Sequence, residues 1–322
     1  MTALVEIEEL TASYGRGPIL RGVSLSVQPG DILGLVGESG CGKTTLGMAM
    51  LGLLPATATV TGRVTFEGRD LLSMPARARR SLLGDRLASV PQSSSGALDP
   101  VYTIGDQLIE TFRTHRQMSR QEARELAVRW LKHVGIPSPE TRMSAYPHEL
   151  SGGTRQRVAI AAALALNPSL LIADEPTSAL DVTIQAQVLR LLQRLIHEHS
   201  GTVILITHDL GVVARLCNRV AVMYAGQIVE EAPVGQLFAR PDHPYTRALL
   251  ASHPALAERG QRLSTIGGRV PAANELPVGC SFQPRCSNAR EACFNRPPWI
   301  ETSPGHYARC VLYEESDAST AS

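Results

Sequence analysis

The chain has 322 residues, of which 43% are hydrophobic and 19% charged, and this size allows one large or two modest cores to form without disulfides. Its 31 Lys and Arg residues nearly balance its 30 Asp and Glu residues, which disfavours a nucleic-acid binder that relies on bulk positive charge. The longest apolar run, 158–166, has nine residues, about half of the roughly 18 that a membrane-spanning helix needs.

The N-terminal segment, MTALVEIEEL, is acidic and lacks the basic residues and long apolar region of a secretory signal. We therefore expect a cytosolic chain. Cysteines in that compartment stay reduced unless they hold a metal or carry out redox chemistry.

Segments rich in β-branched residues and bounded by glycines predict strands at 32–36 and 60–66, and similar apolar runs predict strands at 170–173 and 202–207. The run at 32–36 does not alternate with polar residues, which is typical of a strand covered on both faces in a parallel sheet. Residues 182–199 repeat apolar side chains at helical spacing between two of these runs. The pattern predicts an α/β fold with a mainly parallel sheet.

A phosphate-binding loop is predicted directly after the first buried strand, where residues 37–44 match the pattern G-x-x-x-x-G-K-[ST]. Glycines let backbone N–H groups face phosphate oxygens, and the following helix adds its positive end. Lys43 supplies a mobile charge, and Thr44 supplies a hydroxyl ligand for Mg²⁺. A chance glycine-rich turn is the alternative, but the strand before it and the helix after it favour the loop. The expected nucleotide-binding residues are Gly37, Glu38, Ser39, Gly40, Cys41, Gly42, Lys43, Thr44 and Thr45.

A pair of carboxylates, Asp174 and Glu175, follows the predicted strand at 170–173. Asp174 could hold Mg²⁺, and Glu175 could orient or deprotonate a water molecule. Such a pair alone would indicate only a solvated strand end. Its occurrence together with the phosphate loop favours the catalytic interpretation.

The segment from about 103 to 166 changes character, because Arg- and Glu-rich stretches such as 119–133 repeat apolar residues every three or four positions. This pattern predicts a helical insert. After about residue 235 prolines become frequent, and four of the six cysteines follow, which indicates a separate tail. The composition of 314–322 predicts disorder.

Together these motifs resemble the ATP-hydrolysing subunit of an ATP-binding cassette (ABC) transporter over about residues 5–250. The segment 150–157, LSGGTRQR, resembles the signature motif of the family, and 174–181, DEPTSALD, resembles its second acidic motif and D-loop. Tyr14, Gln92 and His208 stand where the family has an adenine-stacking aromatic residue, the Q-loop glutamine and the switch histidine.

The resemblance implies a P-loop NTPase (RecA-like) core with a parallel sheet and an N-terminal antiparallel β subdomain. It places an ATPase domain at 1–250, a helical subdomain at about 93–166 within it, and a C-terminal extension at 251–322.

The resemblance also assigns roles to individual residues. It implies catalytic roles for Lys43, Gln92, Glu175 and His208, and Mg²⁺ ligation by Thr44, Gln92 and Asp174. Residues Ser151, Gly152 and Gly153 precede a helix-forming run, which predicts an anion site at a helix start. In the family that site closes on the γ-phosphate held by another subunit, so the chain is expected to act as half of a head-to-tail dimer.

Four cysteines of the tail, Cys280, Cys286, Cys293 and Cys310, are separated by five, six and sixteen residues. Structural zinc sites usually include a closer cysteine pair, whereas wider gaps are compatible with an iron–sulfur cluster. The tail and the segment 242–250 are similar to the C-terminal extension of oligopeptide and dipeptide importer ATPases, some of which carry a [4Fe–4S] cluster. We expect such a cluster, with Zn²⁺ or simply packed thiols as alternatives. Cys41 and Cys217 are expected to be merely buried.

The resemblance implies an ATP- and Mg²⁺-dependent subunit, peripheral to the cytoplasmic face of the membrane, that powers import of dipeptides or oligopeptides. Expected partners are two membrane-spanning permease subunits, a paralogous second ATPase and, indirectly, an extracytoplasmic substrate-binding protein, with no nucleic acid. Nickel and glutathione are alternative cargoes. A soluble ABC ATPase of DNA repair or ribosomes is the alternative of another class, but such proteins generally carry two cassettes and this chain carries one. A purely regulatory binder is disfavoured because Asp174 and Glu175 are both present.

Overall fold

The computed structural model describes residues 2–15, 17–178, 180–199, 201–253, 265–271 and 275–314. The predictions for 251–322 fall partly outside these residues, and the disorder predicted for 314–322 lies outside them beyond Glu314. The strands of the described residues are β1 (Val5–Ser13), β2 (Pro18–Val27), β3 (Ile32–Val36), β4 (Thr59–Phe66), β5 (Arg69–Asp70), β6 (Leu87–Val90), β7 (Leu170–Asp174), β8 (Thr202–Ile206), β9 (Arg219–Tyr224), β10 (Gln227–Pro233), β11 (Ile300–Ser303) and β12 (His306–Ala308).

The helices are α1 (Lys43–Leu51), α2 (Ala76–Leu82), α3 (Ser94–Ala97), α4 (Ile104–His115), α5 (Arg120–His133), α6 (Pro139–Arg142), α7 (Gly152–Leu164), α8 (Val182–His199), α9 (Leu210–Leu216), α10 (Val234–Ala239) and α11 (Pro244–Ala251). Within the described ranges, none of them combines the length and the apolar character that crossing a bilayer requires. The chain divides into two compact units, the first formed by Met1–Leu72 with Ile206–Ser322 and the second by Ser73–Leu205.

The first unit contains an antiparallel sheet near the N-terminus, with strand order β2-β1-β4-β5. Alternate residues of β1 are buried, as expected of a strand with one face on a core. A bulge interrupts β1 at Glu9, whose φ is 44°. Opposite the bulge, a Cβ on Gly62 would lie 2.7 Å from the carbonyl oxygens of Glu8 and Glu9, so the pairing requires glycine there. This confirms the expected antiparallel β subdomain.

The first unit also carries the strands β3, β9, β10, β12 and β11, which neighbour one another in that order. Strands β3 and β9 are parallel, whereas β9, β10, β12 and β11 pair antiparallel. Ala225 and Gly226 join β9 to β10 with φ angles of 44° and 82°, the positive values that a tight two-residue hairpin needs.

The C-terminal extension joins the first unit through strands that the sequence analysis did not predict. Glu230 of β10 is fully buried and accepts hydrogen bonds from the N–H groups of Asp242 and His243, at 2.6 and 2.9 Å. Nε2 of His306, in β12, lies 2.7 Å from the same carboxylate. A buried charge requires such partners, so this network fixes both the 240–243 loop and the added strand.

In the second unit β6 pairs parallel to β7, which also neighbours β8. The helix α8 matches the predicted 182–199, and α5 begins one residue after Ser119. Ser119 and Glu122 form a reciprocal capping box at that start. Helices α3 to α7 occupy most of residues 94–164, while the predicted domain boundaries themselves remain predictions. The parallel pairs in both units confirm the α/β fold class.

Candidate nucleotide-binding site

The predicted phosphate loop lies in the first unit between the end of β3 and the start of α1. A Cβ on Gly37 would lie 2.1 Å from the carbonyl oxygen of Met223, so the loop can leave the strand only at a glycine. A Cβ on Gly40, whose φ is 79°, would meet no atom within 4 Å. This side of the loop is therefore open. Gly42 precedes α1 and offers no side-chain cap, which leaves the N-terminal N–H groups of α1 suited to an anion.

Lys43 is buried in this loop, and the residue as a whole is only 6% exposed. Its Nζ donates to the carbonyl oxygens of Gly37 and Glu38, at 2.8 and 3.0 Å. The ammonium is thus held at the centre of the loop by carbonyl groups. Cys41 is buried beside it, and burial raises the pKa of this thiol although the charge of Lys43 opposes the shift, so the thiol stays neutral.

Two contacts of the loop, one from α11 and one from the C-terminal extension, were not predicted from the sequence. The hydroxyl of Tyr245, in α11, accepts a hydrogen bond from the N–H of Glu38 at 2.8 Å. The guanidinium of Arg285 donates to both carboxylate oxygens of Glu38, at 2.7 and 3.0 Å. Within the loop, the one sequence feature that indicates such a partner is the carboxylate of Glu38, because a loop that binds an anion needs this negative charge to be neutralised.

In the second unit, the acidic pair stands at the end of β7, as predicted. Glu175 has a φ of 42°, a left-handed conformation that costs an ordinary residue about 1–2 kcal/mol. Nε2 of Gln92 donates to Oε2 of Glu175 at 3.1 Å, so the structure brings two of the predicted catalytic residues together. The carbonyl of Glu175 also accepts from the N–H of Ser178 at 3.2 Å, which turns the chain sharply after the strand.

The signature segment also lies in the second unit, where Ser151 is the N-cap of α7. Its Oγ accepts a hydrogen bond from the N–H of Thr154 at 3.3 Å, and the residue is exposed. A Cβ on Gly153 would lie 2.4 Å from Cγ2 of Ile184, so glycine permits α7 to begin against α8. The predicted anion site is therefore an exposed, capped helix start.

The remaining predicted residues belong to the first unit. Tyr14 follows β1 directly and is half-buried, and His208 is exposed two residues beyond β8. Asp209 caps α9 by accepting from the N–H groups of Gly211 and Val212, at 2.8 and 3.2 Å. This cap fixes the backbone next to His208.

The four cysteines of the tail border one pocket together with His243. The segments carrying them meet closely, because the N–H of Cys280 donates to the carbonyl of Cys293 at 2.9 Å. A Cβ on Gly279 would lie 2.2 Å from that same oxygen, so glycine allows this approach. Within the described ranges, no three His, Cys, Asp or Glu side chains are arranged to hold one metal ion. The side-chain arrangement alone therefore does not support the predicted metal site.

Cys41 is buried and Cys217 half-buried, and burial raises the pKa of the Cys217 thiol to about 12. Both thiols are neutral at physiological pH. Neither borders the pocket of the other four.

Comparison with known proteins gives two family matches, to "ABC transporter" at residues 20–178 and to "Oligopeptide/dipeptide transporter, C-terminal region" at residues 229–293. A probable peptide ABC transporter ATP-binding protein of Sinorhizobium fredii, y4tR, is 50% identical and covers 95% of this chain and 94% of its own length. The oligopeptide transport ATP-binding protein AppD of Bacillus subtilis is 43% identical and covers 99% of both chains.

Among solved structures, the dimeric post-hydrolysis state of the ATP-binding cassette MJ0796, bound to ADP and phosphate, is similar with a TM-score of 0.64. It is 28% identical, and the match covers 71% of this chain and 98% of that one. The predicted resemblance is confirmed by both kinds of match. The chain belongs to the ATP-hydrolysing subunits of ABC transporters, among the members that carry the oligopeptide/dipeptide transporter C-terminal region.

Proposed function

We infer that this chain is the ATPase subunit of an importer for dipeptides or oligopeptides. The observation that carries the proposal is the match of the C-terminal region at 229–293. It is supported by relatives of nearly equal length whose names refer to peptide or oligopeptide transport. Nickel and glutathione are the alternative cargoes.

Two membrane-spanning permease subunits, a paralogous second ATPase and an extracytoplasmic substrate-binding protein are the proposed partners, and they hold the chain at the cytoplasmic face of the membrane. The chain supplies one phosphate loop and one signature segment. The exposed start of α7 at Ser151 supports the proposal that each subunit completes the other's site. Solubilised complexes purified through this chain are expected to contain the permeases and the second ATPase; co-purification with nucleic acid alone would support a soluble ABC ATPase.

The roles proposed for the nucleotide follow from the chemistry of each group. The loop 37–44 and the ammonium of Lys43 bind the phosphates, Tyr14 stacks on adenine, and Glu175 accepts a proton from the attacking water. His208 contacts the γ-phosphate, and the partner subunit's equivalents of Ser151, Gly152 and Gly153 close over it. Thr44, Gln92 and Asp174 offer the hard oxygen donors that suit Mg²⁺, which would neutralise phosphate charge when bound.

Cargo is tested by uptake of a labelled tripeptide, nickel ions and glutathione in cells that lack this chain. We expect tripeptide uptake to be lost and then restored by the wild-type chain, but not by the Glu175→Gln variant. Uptake of nickel and glutathione should not change. Loss of nickel or glutathione uptake with normal tripeptide uptake would show that nickel or glutathione is the cargo instead of peptides.

We also propose a [4Fe–4S] cluster on Cys280, Cys286, Cys293 and Cys310. One zinc ion would require sulfur atoms about 3.8 Å apart, from Zn–S bonds of about 2.3 Å, whereas each cysteine of a cluster binds a different iron and the sulfurs lie farther apart. The four cysteines that border one pocket supply the number of thiolates that a [4Fe–4S] cluster requires.

Hydrogen-bond donors around the pocket support the same proposal. Backbone N–H groups of Phe282, Asn288 and Leu312 donate to the sulfurs of Cys280, Cys286 and Cys310 and lower their pKa, although burial raises it more. Such N–H groups stabilise thiolates.

His243 supplies a further donor at this pocket. Its Nδ1 accepts from the N–H of Tyr245 at 3.0 Å, so the neutral ring carries its proton on Nε2. Burial, aided by the charge of Arg247, lowers the pKa of His243 to about 3. Nε2 is buried and has no hydrogen-bond partner among the described residues. A buried N–H without an acceptor is costly, and a bound sulfide or thiolate would satisfy it.

Protein purified without oxygen is expected to contain about four iron and four acid-labile sulfide per chain, with visible absorption that bleaches on reduction. Cys286→Ser should lose both, because it removes one cluster ligand. Cys217→Ser is the matched control and should retain them, since Cys217 does not border the pocket. Zinc in place of iron, or neither element, would contradict the cluster.

A further inference from the structure

The phosphate loop contains a carboxylate, Glu38, whose negative charge is unfavourable for binding phosphate. The loop must bind a polyphosphate anion, and a negative side chain in it repels that ligand unless the charge is neutralised. Lys43 donates to the backbone carbonyl of Glu38 and not to its carboxylate. The positive partner of this carboxylate is Arg285, located 247 residues further along the chain.

Arg285 has the geometry of a strong partner. Its two Nη atoms donate to the two carboxylate oxygens of Glu38, at 2.7 and 3.0 Å, which is the bidentate arrangement that fixes both charge and orientation. The Arg285 side chain is 4% exposed and that of Glu38 27%, so water screens this pair less than a surface pair.

The guanidinium of Arg285 is itself held in place by the extension and the first unit's core. Its Nε donates to the carbonyl of Gly267 at 2.8 Å, and its centre lies 5.8 and 5.9 Å from the rings of Tyr224 and Phe282. A side chain fixed from several sides can position the group that it binds.

A second contact, from α11, reaches the loop independently of charge. The hydroxyl of Tyr245 accepts from the N–H of Glu38, and its ring packs on Tyr224 and Phe282 with centroid separations of 4.6 and 5.3 Å. Phe282 and Arg285 both lie between Cys280 and Cys286. The turn 280–286, which carries two of the cysteines, is therefore connected to the first residues of the phosphate loop by both Arg285 and the ring of Tyr245.

We propose that Arg285 of the C-terminal extension is a positioning residue for ATP, which neutralises Glu38 and holds the phosphate loop in its binding conformation. The extension thus serves the nucleotide site within its own chain. This inference rests on the proposed role of residues 37–44 in binding the phosphates of ATP.

The test is a double-mutant cycle on the complete complex, with KM and kcat for ATP hydrolysis as the readouts. Arg285→Ala exposes the Glu38 charge and frees the loop, and we expect KM to rise about tenfold or more with kcat changed less than twofold. Glu38→Gln loosens the loop without leaving a negative charge in it, and KM should rise only about two- to fivefold. Adding Arg285→Ala to Glu38→Gln should then change KM by less than twofold, because the target of the arginine is gone.

Arg296→Ala is the matched control, since this second arginine of the extension lies 3.8 Å from Glu9 in a pair whose side chains are 56% and 67% exposed. It should leave KM unchanged. Arg285→Lys keeps the charge without the bidentate geometry and should give an intermediate KM. A purely structural role would lower kcat and thermal stability instead of raising KM alone.

The inference is overturned if Arg285→Ala leaves KM within twofold of wild type, or raises it equally with and without Glu38. If Arg285→Ala does not fold, Glu38→Ala carries the test with Arg285 in place, and an unchanged KM then overturns the inference. Lys43→Ala in the same assay distinguishes a failure of the proposed loop function from a failure of the role of Arg285. If that variant binds ATP normally, the proposed function of the loop fails; if it loses binding while the cycle shows no coupling, only the role of Arg285 fails.

Discussion

Replacing Glu175 with Gln is expected to lower kcat for ATP hydrolysis by about 10²- to 10⁴-fold, the usual contribution of a general base, and to leave ATP affinity unchanged. An amide of the same shape cannot accept the proton of the attacking water. Its oxygen can still accept the hydrogen bond that Nε2 of Gln92 donates to Glu175 at 3.1 Å. The local structure should therefore persist while the chemistry stops.

The measurement pairs steady-state kcat with the equilibrium dissociation constant for ATP, both on the complete complex. Glu198→Gln is the matched control, because this carboxylate of the second unit lies on α8 and contacts Nε2 of His133 at 2.8 Å. It should leave both quantities unchanged. Hydrolysis by the Glu175→Gln variant within tenfold of wild type would remove Glu175 from the role of base.

The backbone at Glu175 gives this prediction a structural basis beyond the motif. Its φ of 42° places the residue in a conformation that a bulky residue rarely adopts. Strain of this kind persists only where the surroundings enforce it, and it is frequent at functional sites. Here the positive φ turns the backbone immediately after Asp174, the last residue of β7.

The elements predicted from sequence are those fixed by local patterns. The run 32–36 and the helical stretches 119–133 and 182–199 depend on residues within a few positions of one another, and the structure has them at or next to the expected bounds. The phosphate loop is equally local, because strand, glycines and helix start follow directly in the chain.

The contacts that could not be predicted join residues far apart in sequence. Tyr245 and Arg285 reach Glu38 across 207 and 247 residues, and no periodicity reports such a pair. The strands β11 and β12 have only four and three residues, too few for an alternating pattern to stand out. Strand β12 pairs with β10 where Glu230 and His306 meet in a buried network, so the segment 300–308 of the tail packs within the first unit.

Lys43→Ala and Lys43→Arg are both expected to weaken ATP binding by about 100- to 1,000-fold. The ammonium is held by the carbonyls of Gly37 and Glu38, and ATP would offer it phosphate oxygens instead. Each hydrogen bond to a charged group contributes about 1.5–3 kcal/mol, and losing two bonds from the lower part of this range costs about 3–4 kcal/mol. Every 1.4 kcal/mol corresponds to a tenfold change in affinity.

Lys43→Arg should bind ATP weakly because the larger guanidinium does not fit the loop, although the positive charge is kept. Lys43 is almost fully buried, and a planar guanidinium is wider than an ammonium and cannot act as a point donor to several oxygens. The chain supplies its own control, because Lys132 is the only other lysine in the sequence and lies in the last turn of α5. Lys132→Arg should bind ATP as the wild type does. Equilibrium binding of ATP to all three variants checks the prediction, and normal affinity in Lys43→Arg would show that the loop requires a positive charge but not the compact ammonium.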